Sequence, residues 1–304
     1  VTRALIVGFG SIGQRHAAVL ADIGCEVSVV SRRLIQEYVC HSSIGDALGA
    51  ERIEYVVIAN ETSAHAQAFT ELVHAGFTGK LLVEKPLGFR RASRLEDKFA
   101  LAALGYNLRF HPVLSAMSRA LKAQNIISMQ VYCGQYLPSW RPAADYRSSY
   151  SADAKMGGGV LRDLSHELDY MLWLAGGCVS VAALGGQLGQ LEINSDDCWG
   201  MLMKFERCPV ATLQINYFDR PGSREIIVQT ADHSFHADLV NATFARDGVI
   251  EKFNVNRNDT YVAQHKAILA GDGSCLCSLD QGDNVMSLIE AAETAARSNT
   301  WVSL

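Results

Sequence analysis

The sequence predicts an α/β fold in two parts: an N-terminal domain built on a parallel sheet, then an α+β domain built on a large, open, mainly antiparallel sheet. Three observations predict it. Short, continuously apolar runs alternate with helical patterns through the first third of the chain, as expected of parallel strands covered on both faces. A glycine-rich loop, Gly8-Phe9-Gly10-Ser11-Ile12-Gly13, joins the first such run to the first helical pattern. Beyond about Tyr106 the pattern becomes one of strands separated by short turns. The expected division is 1–108 and 109–304.

The elements follow in order. Residues 4–7 read as a strand, and residues 12–23 as a helix stopped by Gly24. Residues 26–30 and 55–59 are further apolar runs. Thr62 or Ser63 is placed to cap the next helix, which carries Phe69, Leu72 and Val73 on one face and ends at Gly76. Residues 81–83 form another strand. In the second part, a helix over about 163–174 ends at Gly176-Gly177. Strands over 199–206 and 211–217 are expected to turn at Cys208-Pro209. Strands over 225–230 and 234–238 flank Ala231-Asp232-His233, and Asp247-Gly248 is a hairpin signal. Residues 285–297 read as a helix. An open sheet leaves a face for subunit contact, so a homodimer or homotetramer is expected.

Composition excludes several classes. The chain has 304 residues, 49% of them hydrophobic, enough for two cores. A net charge of −5 argues against nucleic acid as partner. No apolar run approaches the roughly 20 residues that span a bilayer. The apolar run at 4–7 leaves no secretory signal in view. The 8 cysteines are scattered and lack zinc spacing. The expectation is a cytoplasmic protein with reduced thiols, no membrane partner and no metal.

The glycine loop has the strand–turn–helix context that gives the GxGxxG pattern meaning. Gly8 serves the tight turn, Gly10 lets the backbone approach a pyrophosphate, and Gly13 lets helix and strand pack. Ser11 and Ile12 open the helix, whose N-terminus offers N–H donors to phosphate. The second strand ends in Ser31-Arg32-Arg33. A free ribose 2′-hydroxyl calls for an acid at that point, whereas a serine and two guanidinium groups suit a 2′-phosphate. NADP(H) is therefore expected over NAD(H).

In Glu84-Lys85-Pro86, proline holds the lysine out of helical angles at the carboxyl edge of a strand, where ligands bind in open α/β sheets. An ammonium there can hydrogen-bond an oxygen that becomes, or was, a carbonyl. The run Gly157-Gly158-Gly159 leads into a helical pattern bearing Asp163 and His166. The glycines let backbone pass close to a ligand. At a spacing of three the carboxylate and imidazole share a helix face, an arrangement suited to general base chemistry. Asp169 is a rival partner for His166. Just ahead lie Ser139-Trp140-Arg141-Pro142, Asp145-Tyr146-Arg147 and Tyr150. Aromatic rings that stack on sugars, with guanidinium forks from Arg141, Arg147 and Arg162, favour an anionic sugar.

Taken together, the glycine loop, Glu84-Lys85-Pro86, the run from Gly105 through Tyr106, Asn107, Leu108, Arg109 and Phe110 to His111-Pro112, and the triple-glycine Asp/His segment resemble the Gfo/Idh/MocA oxidoreductases, the glucose–fructose oxidoreductase and inositol dehydrogenase family. The resemblance covers essentially the whole chain. It implies a Rossmann domain, a C-terminal domain with a large open sheet, and nicotinamide-dependent redox chemistry on sugars or cyclitols. It implies Lys85, Asp163 and His166 as catalytic residues and Asn107 beside the nicotinamide. It adds Asn60, Glu61, His65 and Glu84 to the cofactor side and Arg109 to the substrate side, where Trp140 and Tyr146 of the aromatic segment already stand. Two departures stand out: many members space the Asp and His one residue further apart, and many have a Thr-Pro step where this chain reads Asn60-Glu61-Thr62. The implied activity is hydride transfer between nicotinamide and a carbinol or carbonyl carbon of a nucleotide sugar or sugar acid, in surface-carbohydrate biosynthesis. The alternatives are a cofactor-retaining redox-assisted glycosidase or lyase, and a non-catalytic NADP(H)-sensing protein.

Overall fold

A computed structural model describes residues 1–33, 35–88, 92–140, 142 and 145–304. The chain divides into two units, Val1–Phe110 with Arg257–Asp283, and His111–Asn256 with Asn284–Leu304.

The first unit contains β1 (Arg3–Val7), α1 (Ser11–Asp22), β2 (Glu26–Val30), β3 (Val39–His41), α2 (Ile44–Ala50), β4 (Tyr55–Ile58), α3 (His65–His74), β5 (Lys80–Val83) and β6 (Leu101–Leu104). Its sheet is parallel throughout, in the order β3-β2-β1-β4-β5-β6. The central strands are apolar, apart from Arg3 at the start of β1, because both faces are covered: Leu5, Ile6, Val56, Val57 and Ile58 have no exposed surface. The order reverses between β1 and β4, and that switch point is where such sheets bind ligands, at the carboxyl ends of their strands. Two strands escaped the sequence reading. β3 is three residues long, and β6 is Leu-Ala-Ala-Leu, a run with as much helical as strand character. Residues Thr62–Ala64 form a 3₁₀ turn ahead of α3, so neither Thr62 nor Ser63 caps that helix with its side chain.

The second unit begins with α4 (Pro112–Leu121) and β7 (Ile126–Gly134), followed by α5 (Val160–Asp163) and α6 (His166–Ala175). Then come β8 (Cys178–Gly186), β9 (Cys198–Phe205), β10 (Cys208–Asn216), β11 (Ser223–Thr230), β12 (Ser234–Asp238), β13 (Thr243–Arg246) and β14 (Val249–Lys252). The chain then forms α7 (Asp259–Ala270) in the first unit, α8 (Leu279–Ser298) and β15 (Val302–Ser303). The nine-stranded sheet has the order β14-β13-β12-β11-β7-β10-β9-β8-β15 and is antiparallel except for the β7–β10 pair. Helices α4, α5 and α6 pack on one face. β9 shows the pattern: Trp199, Met201, Met203 and Phe205 are buried, while Gly200, Leu202 and Lys204 point away. The other face is open, in keeping with an α+β domain.

Three expectations change. The β9–β10 turn is Glu206-Arg207, and Cys208 already pairs with Phe205. The single helix expected over 163–174 is two helices, broken at Leu164-Ser165. Residues 257–283 return to the first unit, where Ile268 and Leu276 join a core with Ala4, Ile6, Leu20 and Val57. The Asp247-Gly248 turn is as read: both residues have positive φ, the geometry of a tight two-residue hairpin. Among the described residues no helix is long and apolar enough to cross a membrane.

Candidate active site

The carboxyl edge of the parallel sheet gathers most of the residues expected to hold cofactor. Gly8 follows β1, Ser31 follows β2, Asn60 follows β4, and Glu84 and Lys85 follow β5. The three loop glycines have different causes. Gly8 has φ +97, and a Cβ on it would lie 2.6 Å from the Asn60 backbone across the switch point. A Cβ on Gly13 would lie 2.1 Å from the Gly8 carbonyl oxygen, so this glycine lets α1 settle on the loop. Gly10 is different: a Cβ there meets nothing within 4 Å. No internal packing demands a glycine at the start of α1, and the open space sits where the helix N–H groups of Ser11, Ile12 and Gly13 have no intrahelical acceptor. A phosphate fits that cradle.

Gly10→Val therefore separates ligand from packing. We expect an unchanged melting temperature and a cofactor affinity weaker by about tenfold or more, whereas Gly13→Val should melt well below wild type. Thermal melts and fluorescence titration with NADPH measure both; equal affinity in Gly10→Val would remove the loop from the cofactor site.

At the end of β2, the Ser31 hydroxyl accepts the Arg33 N–H at 3.0 Å. The Arg32 and Arg33 side chains are exposed and make no hydrogen bond or ion pair with other described residues. They are uncommitted cations at this edge. Other expected residues are committed to the fold. His65 is buried with its two ring nitrogens 3.2 Å from the Asn60 and Pro86 carbonyls, and burial holds its imidazole below the usual range. It ties two loops together. Asn107 is buried and donates to Thr260 Oγ1 at 2.7 Å. Arg109 is buried, its guanidinium on the Leu276 carbonyl at 3.1 Å and on Gln281 Oε1 at 2.7 Å, so it braces α8 rather than presenting a fork to substrate. Asn60 keeps a buried amide oxygen without a hydrogen bond among the described residues, and Glu61 is exposed.

Lys85 stands half-buried just past β5, and its peptide bond to Pro86 is cis. Glu84 is almost fully buried: one oxygen accepts from His16 Nε2 at 2.9 Å and the other from the Lys85 backbone N–H at 3.3 Å. The sequence reading missed His16, although it lies three residues past the last loop glycine.

In the second unit, the triple glycine makes room for the chain itself. A Cβ on Gly158 would lie 2.1 Å from the Tyr150 carbonyl oxygen, and one on Gly159 2.1 Å from Asp196 Oδ1. Asp196 in turn accepts the Leu161 N–H and the Trp199 indole N–H, both at 2.8 Å, and holds the start of α5. Asp163 closes α5 and is buried. Its two oxygens accept the hydroxyls of Tyr150 and of Tyr217, the latter at 2.6 Å. Burial, with Asp163 beside it, raises the Tyr217 phenol well above its usual range, so it remains a donor. His166 opens α6, so it does not share a helix face with Asp163 as the sequence reading had it. Asp169, buried one turn further along α6, does lie on the helix of His166. Trp140 packs edge-on against Tyr217 at 5.4 Å, and its buried indole N–H has no hydrogen bond among the described residues.

The arginines expected to hold an anion are largely engaged. Arg147 pairs with Asp145 at 2.9 Å and Glu192 at 3.0 Å, and Arg162 pairs with Glu293 at 2.7 Å. Tyr146 uses its hydroxyl to accept the Glu192 N–H. Arg141 lies outside the described residues. Among the described residues no group of three or more His, Cys, Asp or Glu side chains is placed to hold a metal.

Residues 122–236, which include the triple glycine, both short helices and the central strands of the open sheet, match the model of the GFO/IDH/MocA C-terminal domain. The match spans 115 of the 304 residues and lies within the second unit. Solved structures agree in fold. The chain is similar to GenD2 from gentamicin A biosynthesis, solved with NAD (21% identity, TM-score 0.83, covering 100% of this chain and 96% of that one). It is similar to the UDP-N-acetylglucosamine 3-dehydrogenase GnnA from Acidithiobacillus ferrooxidans (20%, TM-score 0.79, 97% and 98%). A myo-inositol dehydrogenase from Corynebacterium glutamicum matches at 20% identity with TM-score 0.78 over 100% and 99% of the two chains. No curated protein matches the sequence. Those structural likenesses cover nearly the whole chain and extend to its fold, a parallel sheet followed by a large mixed sheet.

Proposed function

We propose that this chain is an oxidoreductase of the Gfo/Idh/MocA family, dependent on nicotinamide, that interconverts a carbinol and a carbonyl carbon of a sugar or sugar derivative. One observation carries the reading: a single carboxyl edge holds an open glycine cradle at a helix N-terminus, two uncommitted arginines and Lys85. The residues fit the cofactor. Gly10, Ser11, Ile12 and Gly13 would receive its pyrophosphate, and Ser31, Arg32 and Arg33 its adenosine ribose. When bound, a nicotinamide supplies the hydride acceptor or donor. Lys85 donates a hydrogen bond to the substrate oxygen and stabilises the alkoxide that develops there. His166 takes the hydroxyl proton in the oxidising direction and returns it in the other. Asp163, held by two phenols, is a fixed carboxylate in the same segment as His166.

NADP(H) is the favoured cofactor because no acid ends β2. NAD(H) is the competitor, and GenD2 is a related fold that holds NAD. Arg32→Ala and Arg33→Ala are each expected to weaken NADPH binding about 10–100-fold and leave NADH binding essentially unchanged. Isothermal titration checks this; equal losses for both cofactors would reverse the preference.

For the substrate, Trp140 offers a ring face and an indole N–H. Arg147 and Arg162 already neutralise acids, so an anionic group would rely on Arg141 or on opening those pairs. Nucleotide sugars and sugar acids nevertheless head the substrate panel, for a role in surface-carbohydrate biosynthesis, with GnnA as a nucleotide-sugar enzyme of the same fold. The test is cofactor turnover against nucleotide sugars, sugar acids, aldoses and cyclitols in both redox directions, with Lys85→Ala as control. Lysine-dependent turnover of one class supports the reading; tight cofactor binding without turnover on any of them counts against it.

A further inference from the structure

A buried chain of hydrogen bonds crosses the first unit from Tyr55 on β4, through His265 on α7 and His16 on α1, to Glu84 at the end of β5. Tyr55 Oη lies 2.8 Å from His265 Nδ1, His265 Nε2 lies 2.8 Å from His16 Nδ1, and His16 Nε2 lies 2.9 Å from Glu84 Oε1. Tyr55, His265 and His16 have no exposed surface. The far oxygen of Glu84 accepts the Lys85 N–H. Gly105 completes the seat, since a Cβ there would lie 2.4 Å from Glu84 Oε1.

The two ends set the direction of every bond. A carboxylate only accepts, so His16 Nε2 carries the hydrogen. A neutral imidazole has one N–H, so His16 Nδ1 accepts from His265 Nε2–H, and His265 Nδ1 accepts from the Tyr55 hydroxyl. Burial acts in the same sense. It holds the His265 imidazole well below its usual range, with His16 adding to the effect, and it raises the Tyr55 phenol well above its own. The His265 ring is therefore neutral, and each bond in turn points toward Glu84. Because Tyr55 is sealed from solvent, the chain has no exit for a proton. It can orient groups without conducting protons out of the protein.

We propose that Tyr55, His265 and His16 are positioning residues that act through Glu84: their one-way hydrogen-bond chain locks the carboxylate in a single pose, and the carboxylate holds the Lys85 backbone at the edge of the sheet. This rests on the reading of Lys85 as the group that meets the substrate oxygen. All three residues lie outside the motifs that carry the resemblance, and one comes from the segment 257–283 that returns to this unit.

Two measurements on the full chain test it. Nitrogen-15 spectra of histidine-labelled protein should show His16 and His265 neutral and protonated on Nε2. Tyr55→Phe, which removes one hydroxyl and no volume, should give mixed tautomers. In the same variant kcat should fall about three- to tenfold with the cofactor KM unchanged, and adding Tyr55→Phe to Lys85→Ala should cost nothing more. His265→Phe should repeat the loss, and His265→Gln, which keeps a donor toward His16, should recover part of it. Charged rings, Nδ1–H tautomers, wild-type kcat in both Tyr55→Phe and His265→Phe, or a full further loss in the double variant would each overturn the proposal. Wild-type turnover in Lys85→Ala would instead remove the catalytic reading and this role with it, while the spectra would still decide whether the chain itself exists.

Discussion

Lys85→Ala should lower turnover by about 10²–10⁴-fold while leaving cofactor affinity nearly intact, the range expected when a positioned proton-handling or charge-stabilising group is removed. The lysine follows the sheet's carboxyl edge on a rigid strand end, and Glu84 takes its backbone N–H. The phosphate cradle at Gly10 and the arginines after β2 belong to other loops of the same edge, so binding and chemistry should separate. A donor aimed at an oxygen that gains charge only in the transition state changes kcat more than KM. His166→Ala should fall in the same range, because a base that accepts the hydroxyl proton has no substitute in water of equal placement. Steady-state kinetics on the first substrate found, with NADPH titration beside it, is the measurement. Turnover within twofold of wild type in both variants, a bound set by the ~10²-fold floor of such effects, would sink the assignment.

The second large effect concerns stability. Arg224→Met should lower the melting temperature by about 6–20 °C, the equivalent of about 3–5 kcal/mol in a unit of this size. Glu167, next to His166 on α6, is fully buried, with Arg224 Nε 2.8 Å from its Oε1 and the Tyr170 hydroxyl 3.3 Å from the same atom. The surroundings are dry: burial, with Glu167 close by, pushes the Cys133 thiol up to about 12. Removing the guanidinium strands a carboxylate where water cannot solvate it. The control is Arg224→Met with Glu167→Leu, which removes both charges and should recover most of the loss, because an apolar pair of similar volume often matches a buried ion pair. Scanning calorimetry gives the answer. A single variant that melts with wild type would mean that Glu167 is not held as an ion at all. Since α6 begins at His166, the same ion pair also anchors the helix that presents it.

The contrast between motif and partner explains how much of the site was legible. Glycine, lysine and proline at Gly8, Gly10, Gly13, Lys85 and Pro86 announce themselves because each does something that few other residues can do at that backbone position. Asp163 and His166 were legible as chemistry but not as geometry. No glycine or proline marks the break at Leu164-Ser165. The arginines misled for a related reason. A guanidinium reads as an anion site in sequence, whereas Arg109 spends its hydrogen bonds on Leu276 and Gln281, and Arg147 and Arg162 on acids up to 131 residues away in the chain. The triple glycine read as room for a ligand is in fact room for Tyr150 and Asp196.

By itself the sequence determined the parallel sheet with its glycine loop, strands β9 to β12 and the Asp247-Gly248 turn of the second sheet, the family resemblance and the lysine at the strand edge. All of these rest on local signals: period, apolar runs and backbone conformations that few residues tolerate. Tertiary structure alone decided the short strands β3 and β6, which exist because β2 and β5 offer them a partner. It decided the return of residues 257–283 to the first unit and the breaking of one expected helix into two. It also decided which polar groups are committed and which remain open at the carboxyl edge. A hydrogen bond between His16 and His265 spans 249 residues of chain, and no local pattern carries such a pairing; only a folded core brings the two rings to 2.8 Å and keeps water out.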